Sequence, residues 1–283
     1  MATTASQLLD QITSHAGSRL SHLSRLSRVR RTAPRSPVAP PPLVVVAHGS
    51  RDPRTLATVR SLLATVRALR PGTAVHLGHI ELNEPLLPDT LARLAPGRAV
   101  LVPLLLGRGY HVKHDLPAAA AAAPHLDARV AAPLGPHPLL VDALHDRLVE
   151  AGFPEEAGTG VVLAAAGSRD PEGLADTRAT ASALAERLGV PVVPAYASAA
   201  SPTVPAAVRA LAALGRHRVA VASYFTAPGR FAAQSAGVAP GVASAPLGTH
   251  PALAGLLVHR YDEAARGFAS SSPVGQAPLA ASA

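Results

Sequence analysis

The 283-residue chain contains no cysteine and no tryptophan, a single methionine and a single lysine, Lys113. Without thiols there is no disulfide, no thiolate zinc site and no cysteine-ligated iron–sulfur cluster. Aromatic residues make up only 3% of the sequence, so Ala, Val and Leu must fill any core. The interleaved arginines and aromatics of a base-stacking surface are also missing. Long apolar runs are absent: "AVLVPLLLG" (99–107) has the length of a strand, not of a membrane span. Neither nucleic acid nor a membrane is therefore expected as a partner, and the expected location is the cytoplasm.

What is present is 48% hydrophobic residues, enough for one large domain or two ordinary ones. The formal charge of +8 is concentrated at the start. Residues 1–42 hold Arg19, Arg25, Arg28, Arg30, Arg31 and Arg35 against Asp10, which leaves +3 for the rest. That segment is Arg- and Ser-rich and acid-poor, like a transit peptide, and Leu20, Leu23, Leu26 and Val29 recur every three residues. The favoured reading is a basic, solvated and partly disordered tail ending in "APRSPVAPPP". A second disordered end is expected at 267–283.

Between the tails, short apolar β-branched runs alternate with helical spacing. "LVVVA" (43–47), "TAVHLGHI" (73–80), "RAVLVPLLL" (98–106) and "ARVAAPL" (128–134) read as strands. "RTLATVRSLLATVRALR", "PLLPDTLARLA" and "HPLLVDALHDRLVEAG" read as helices, with Asp52-Pro53 as an N-cap and first helical residue. The order then repeats. "AHGSRDP" (47–53) returns as "AAGSRDP" (165–171), "APLGPHPLLVDALHDRL" (132–148) as "APLGTHPALAGLLVHRY" (245–261), and "RAVLVPLLLGRGYH" (98–111) as "RVAVASYFTAPGRF" (218–231). The separations are 118, 113 and 120 residues. The pattern predicts an α/β protein of two similar lobes, 43–152 and 158–266, each a parallel sheet flanked by helices, facing across a cleft. Ligands would sit beyond the carboxyl ends of the strands.

The duplication acts as an internal control. Gly49, Ser50, Arg51, Asp52 and Pro53 recur, as does His137 (as His250), and a tight turn and a helix start account for them. His48 becomes Ala166, His111 becomes Phe231, and alignment through Pro85 and Pro202 sets Glu81 against Ser198. Two histidines and a carboxylate, each just past a predicted strand, thus occur in the first lobe only. A lone histidine at a strand end is ordinarily a hydrogen-bonded cap; their joint, one-sided loss points to function. Two imidazoles and a carboxylate suit divalent iron, cobalt or nickel, and the same groups accept protons near neutral pH. Glu84 competes with Glu81 for the acidic role. His114, three residues after His111, fits a surface position. A serine hydrolase using Ser50 and His48 is disfavoured, because Ser50 recurs as Ser168 beside Ala166, where no base exists.

"VVVAHGSRDP" (44–53), "HIELNEPLL" (79–87) and "VPLLLGRGYHVKHDLP" (102–117) resemble the motifs of the sirohydrochlorin chelatase family, the class II tetrapyrrole chelatases, in their long two-lobed form. The resemblance covers residues 43–265. It implies a lyase that inserts ferrous iron or cobalt into sirohydrochlorin, in sirohaem or cobalamin biosynthesis. It places His48, His111 and Glu81 in metal capture and proton removal. The metal would be a substrate, with no cofactor permanently bound, and the chain a monomer or homodimer. Arg51, Arg108 and Lys113 would meet the peripheral carboxylates of the tetrapyrrole. A non-catalytic tetrapyrrole or metal carrier would use the same residues.

Overall fold

A computed structural model describes residues 39–270, apart from 155 and 157. The expectations for 1–38 and 271–283 lie outside the described residues.

The run Leu43–Ala47 forms β1, and all five residues are buried. A strand apolar on both faces needs cover on both faces, which parallel sheets obtain from their crossover helices. β1 pairs in parallel with β2 (Val75–His79) on one side and β3 (Gly97–Pro103) on the other, and β3 pairs with β4 (Leu126–Val130). The resulting order is β2-β1-β3-β4. In the second lobe, β5 (Thr159–Ala165), β6 (Val192–Tyr196) and β7 (Arg218–Ser223) form a parallel sheet of order β6-β5-β7. Where a fourth strand would lie there is a single bridge between Val221 and Ala243.

The helices are α1 (Pro53–Leu69), α2 (Leu87–Ala92), α3 (Leu116–Ala121), α4 (Pro138–Glu150), α5 (Pro171–Leu188), α6 (Val204–Ala213), α7 (Arg230–Ala236) and α8 (Pro251–Ser270). α1 starts where the Asp52 carboxylate accepts the Arg54 N–H at 3.0 Å and Pro53 needs no amide partner. It buries Val59, Leu62, Leu63 and Val66, one stripe at helical spacing. α5 repeats this start, with Asp170 accepting from Glu172 N–H at 2.9 Å. His137 and His250 cap α4 and α8 alike, each Nδ1 accepting an N–H two residues on at 3.2 Å. The histidines read from the repeat as structural are therefore helix caps.

Alternate residues of the central strands face opposite layers. Leu43, Val45 and Ala47 join Val161, Leu163 and Ala165 in one continuous core that α1, α4, α5 and α8 fill between the sheets. Val44 and Val46 pack outward on α2 and α3, and Val162 and Ala164 outward on α6. The terminal helices of the repeats are exchanged. α4 packs on α5, α8 and β7, whereas α8 packs on α1, α4, β3 and β4. Two matched arginines seal the exchange: Arg147 donates to Leu247 O at 3.1 Å, and Arg260 donates to Pro133 O at 2.9 Å and to Leu134 O at 3.3 Å. The sequence repeat divides between 152 and 158, but the packing crosses that line.

Some boundaries move. β3 ends at Pro103 and β4 at Val130, short of the expected 106 and 134, because the segments beyond them leave the sheet and bond to one another through Leu134 N–H and Leu105 O. α8 runs to Ser270 rather than stopping at 266, anchored by Phe268, which is buried under the Arg98 and Arg129 guanidinium groups. Pro41 and Pro42, placed with the tail by composition, belong to the folded unit. Their carbonyls accept from the Tyr261 hydroxyl and the Val100 N–H. No helix among the described residues is long and apolar enough to cross a membrane.

Candidate active site

The β1–α1 turn is shaped by Gly49, whose φ is +103°. A Cβ there would stand 1.8 Å from the Glu81 carbonyl oxygen, so only glycine lets the turn lie against the loop after β2. The β1–β2 register continues past both strands: Ile80 N–H donates to Ala47 O at 2.9 Å and Glu81 N–H to His48 O at 3.0 Å. That pairing sets Glu81 beside His48. Asn83 braces the arrangement. Its Oδ1 accepts the Ser50 N–H at 2.7 Å, and its own N–H donates to Glu81 O at 2.8 Å across Leu82. The Ser50 hydroxyl accepts the Asp52 N–H at 3.1 Å, a turn-forming role that Ser168 repeats at 3.0 Å.

His111 comes from a different direction. After β3 the chain crosses the loop Leu104–Tyr110 and enters one π-helical turn, His111–Asp115, closed by Leu116 N–H on His111 O. The turn leads directly into α3. The His48 and His111 rings meet edge to face with centroids 4.8 Å apart. His48 Nδ1 lies 3.6 Å from Glu81 Oε1, and His111 Nδ1 lies 2.5 Å from Asp115 Oδ2. A carboxylate only accepts, so His111 Nδ1 carries the hydrogen, and in the neutral ring Nε2 then presents its lone pair. Carboxylate-held imidazoles of this kind are typical of metal-binding histidines.

Of the three expected donors, Glu81 lies beside His48, and the His48 ring meets that of His111. Among the described residues no three histidine, aspartate or glutamate side chains are arranged to hold a metal ion together. Glu81 stands against His48, Asp115 holds His111, and the imidazole pair forms the centre. Glu84, the rival acid, has its carboxylate on the Leu86 N–H at 3.1 Å. His114 is exposed and lies against the Tyr110 ring at 4.7 Å. His76 and His79 lie on β2, and burial pushes the pKa of both below the usual histidine value.

Two of the basic residues have partners that the sequence does not show. Arg108 and Lys113 were expected to face substrate carboxylates. Arg108 is bound by Asp176 at 2.7 Å and Glu172 at 2.9 Å, and Lys113 by Asp170 at 2.6 Å and by Glu172. All three acids belong to the second lobe. The hydrogen bond from Lys113 holds the Asp170 carboxyl below the usual carboxylate range. Arg54 is bound by Asp52 at 2.7 Å. Arg51 is exposed and, among the described residues, has no acidic partner. Sequence reasoning missed Asp115, Asn83 and the three second-lobe acids. Asp115 was visible as an i, i+4 neighbour of His111 on a helix, and Asn83 as one more residue absent from the second copy.

The doubled α/β scaffold carries at its strand ends a pair of carboxylate-flanked imidazoles, nitrogen and oxygen donors of the kind that suit divalent cations. The chain belongs to the CbiX family, whose model matches residues 42–151 and again 160–264. It is 28% identical over 168 residues to a sirohydrochlorin ferrochelatase of Bacillus subtilis, covering 56% of this chain and 64% of that one. It is 33% identical over 78 residues to a sirohydrochlorin cobaltochelatase of Methanococcus aeolicus, covering 26% of this chain and 54% of that one. The chain thus spans less than two thirds of the length of these curated relatives. Its fold is shared with the structure of SirB from Bacillus subtilis with Fe3+, at a TM-score of 0.67 and 24% identity over 82% of this chain and 98% of that one.

Proposed function

We propose that this protein inserts a divalent metal ion, ferrous iron or cobalt, into sirohydrochlorin, acting as a chelatase of sirohaem or cobalamin biosynthesis. The observation that carries this reading is the pairing of the His48 and His111 rings at 4.8 Å in a lobe whose duplicate has Ala166 and Phe231 there.

The metal is a substrate. It must be captured, passed to four ring nitrogens and released, while two pyrrole N–H protons leave. Two imidazoles with the Glu81 carboxylate beside them hold a cation with coordination positions left open, so ring nitrogens can enter as protein donors leave. His111, with Nδ1 engaged by Asp115, offers Nε2. Each proton departs as its nitrogen takes up the metal, and a neutral imidazole or the Glu81 carboxylate receives it at near-neutral pH. Arg51, exposed near the start of α1 and without an acidic partner among the described residues, is placed to meet a substrate carboxylate. One chain supplies both lobes, so this reading needs no second subunit.

The test is an anaerobic absorbance assay with sirohydrochlorin and ferrous or cobaltous ion, run on the parent protein, His48→Ala and His111→Ala. Turnover beyond one equivalent by the parent, lost in both variants, is expected. Undiminished insertion by both variants refutes the site. Binding by the parent with no product formed would mark a carrier instead.

A further inference from the structure

We infer that the second lobe serves as a docking platform that positions the His111 loop, with Asp176 as the central positioning residue; this rests on the chelatase reading. Asp176 is buried, its side chain 3% exposed. It accepts the Arg108 backbone N–H at 2.8 Å and grips the same residue's guanidinium at 2.7, 3.1 and 3.2 Å. Main chain and side chain of one loop residue are thus held by one carboxylate, a geometry that fixes position as well as charge. Glu172 takes the other end of that guanidinium and, with Asp170, the Lys113 ammonium two residues past His111. The buried Tyr224 hydroxyl donates to Leu106 O at 3.1 Å. The loop that delivers His111 is therefore tied to the second lobe before and after the histidine.

Gly173 completes the seat. A Cβ there would stand 2.4 Å from the Arg108 carbonyl oxygen, so the glycine permits the close approach.

The internal repeat shows that this is not a general feature of the fold. At the matching junction, where the second lobe's loop meets the start of α1, the described residues show one hydrogen bond, from Thr55 Oγ1 to Pro228 O at 2.6 Å. There Arg108 is replaced by Pro228 and Lys113 by Ala233, while Glu172, Gly173 and Asp176 become Arg54, Thr55 and Thr58. That loop carries Phe231 instead of a histidine. The ionic seat exists only where the loop it holds delivers an imidazole, so the lobe that lost its donors has a distinct role in placing those of its twin.

The experiment compares the parent with Asp176→Asn, Arg108→Gln, Arg108→Lys and, as a control at the matching junction, Thr55→Val. It reads amide hydrogen exchange over 104–116, thermal midpoint and cobalt insertion kinetics. Expected for Asp176→Asn and Arg108→Gln is roughly tenfold faster exchange confined to 104–116. A kcat lowered by roughly 10- to 100-fold at little-changed KM should accompany it, as misplacement of a reacting group produces. Arg108→Lys should recover part of the loss, and Thr55→Val should leave kcat as in the parent. Arg108 is exposed enough that its variants remain folded even if Asp176→Asn does not. Unchanged exchange at 104–116 in Arg108→Gln overturns the inference, as does faster exchange with kcat intact. A parent that does not turn over refutes the chelatase reading instead, and the exchange data still decide whether the second lobe holds the loop.

Discussion

At the end of β1 the chain reads His48-Gly49-Ser50, and at the end of β5 it reads Ala166-Gly167-Ser168. The two turns are built alike. Gly49 and Gly167 have φ of +103° and +97°, and each lies where a Cβ would strike the carbonyl of the facing loop, Glu81 in one lobe and Ser198 in the other. Glu81 N–H bonds to His48 O just as Ser198 N–H bonds to Ala166 O, both at 3.0 Å. The turn, the cap and the register are therefore requirements of the backbone, kept because the fold needs them. The side chains presented on that backbone answer to other demands. In the first lobe they are imidazoles and carboxylates gathered at one point; in the second they are small or apolar residues, with acids displaced onto the first turns of α5.

The sharpest way to break this comparison is to remove the imidazoles. His48→Ala or His111→Ala is expected to lower the insertion rate by roughly 10²- to 10⁴-fold, in line with losing a positioned proton acceptor. Ala166→His in the second lobe should add no activity, because Phe231 and Ser198 stand where its partners would be. A new rate arising from Ala166→His would show that the lobes are more alike than their side chains imply.

The exchanged helices give the next test. Leu144 on α4 and Leu257 on α8 are fully buried in the shared core. Each Leu→Ala variant should lose about 2–5 kcal/mol. Chemical denaturation should show both lobes melting in one transition, since each terminal helix completes the other lobe. Two separate transitions would mean that the lobes are independent and the exchange is superficial.

Gly49→Ala and Gly167→Ala sharpen the scaffold half of the comparison. Both should cost about 2–4 kcal/mol, from backbone strain and the clash with a carbonyl. Insertion by the folded fraction should suffer only for Gly49→Ala, whose turn carries His48.

The smallest effect concerns pH. Burial holds His76 and His79 below the histidine value of 6.5, and their counterparts in β6 are Val193 and Tyr196. With folded pKa values depressed, the unfolded chain binds more protons just below pH 6.5. Stability should therefore be complete above about 6.5 and decline as pH falls toward the folded values. His76→Val should flatten that decline in a series of urea melts; an unchanged profile would mean His76 protonates as easily folded as unfolded.

Much of this was legible along the chain. The apolar β-branched runs, the Asp-Pro helix starts and the doubled "GSRDP" follow from local rules: burial on both faces, capping, and a turn that only glycine makes. The one-sided loss of His48 and His111 was equally visible, since a repeat displays its own deletions. Glu81 and Glu84 could not be told apart in sequence. They lie three residues apart on one loop, and only the continued β1–β2 ladder turns Glu81 toward His48 and leaves Glu84 on the Leu86 amide.

The partners of Arg108 and Lys113 were not legible either. Basic residues beside a candidate site for a polyacidic ligand look like substrate contacts, but charges pair with whatever carboxylates the fold brings within a few ångströms. Here those carboxylates lie more than fifty residues away in sequence, at the cap and first turns of a helix of the other lobe.

The sequence by itself determined the strands, the helices, the turns and the duplication, because each depends on residues within a few positions of one another. Only the tertiary structure decided which terminal helix covers which sheet, which glutamate faces the histidine pair, and which acids hold the loop beside it. Those outcomes depend on distances between segments far apart along the chain, and such distances exist only once the shared core has closed.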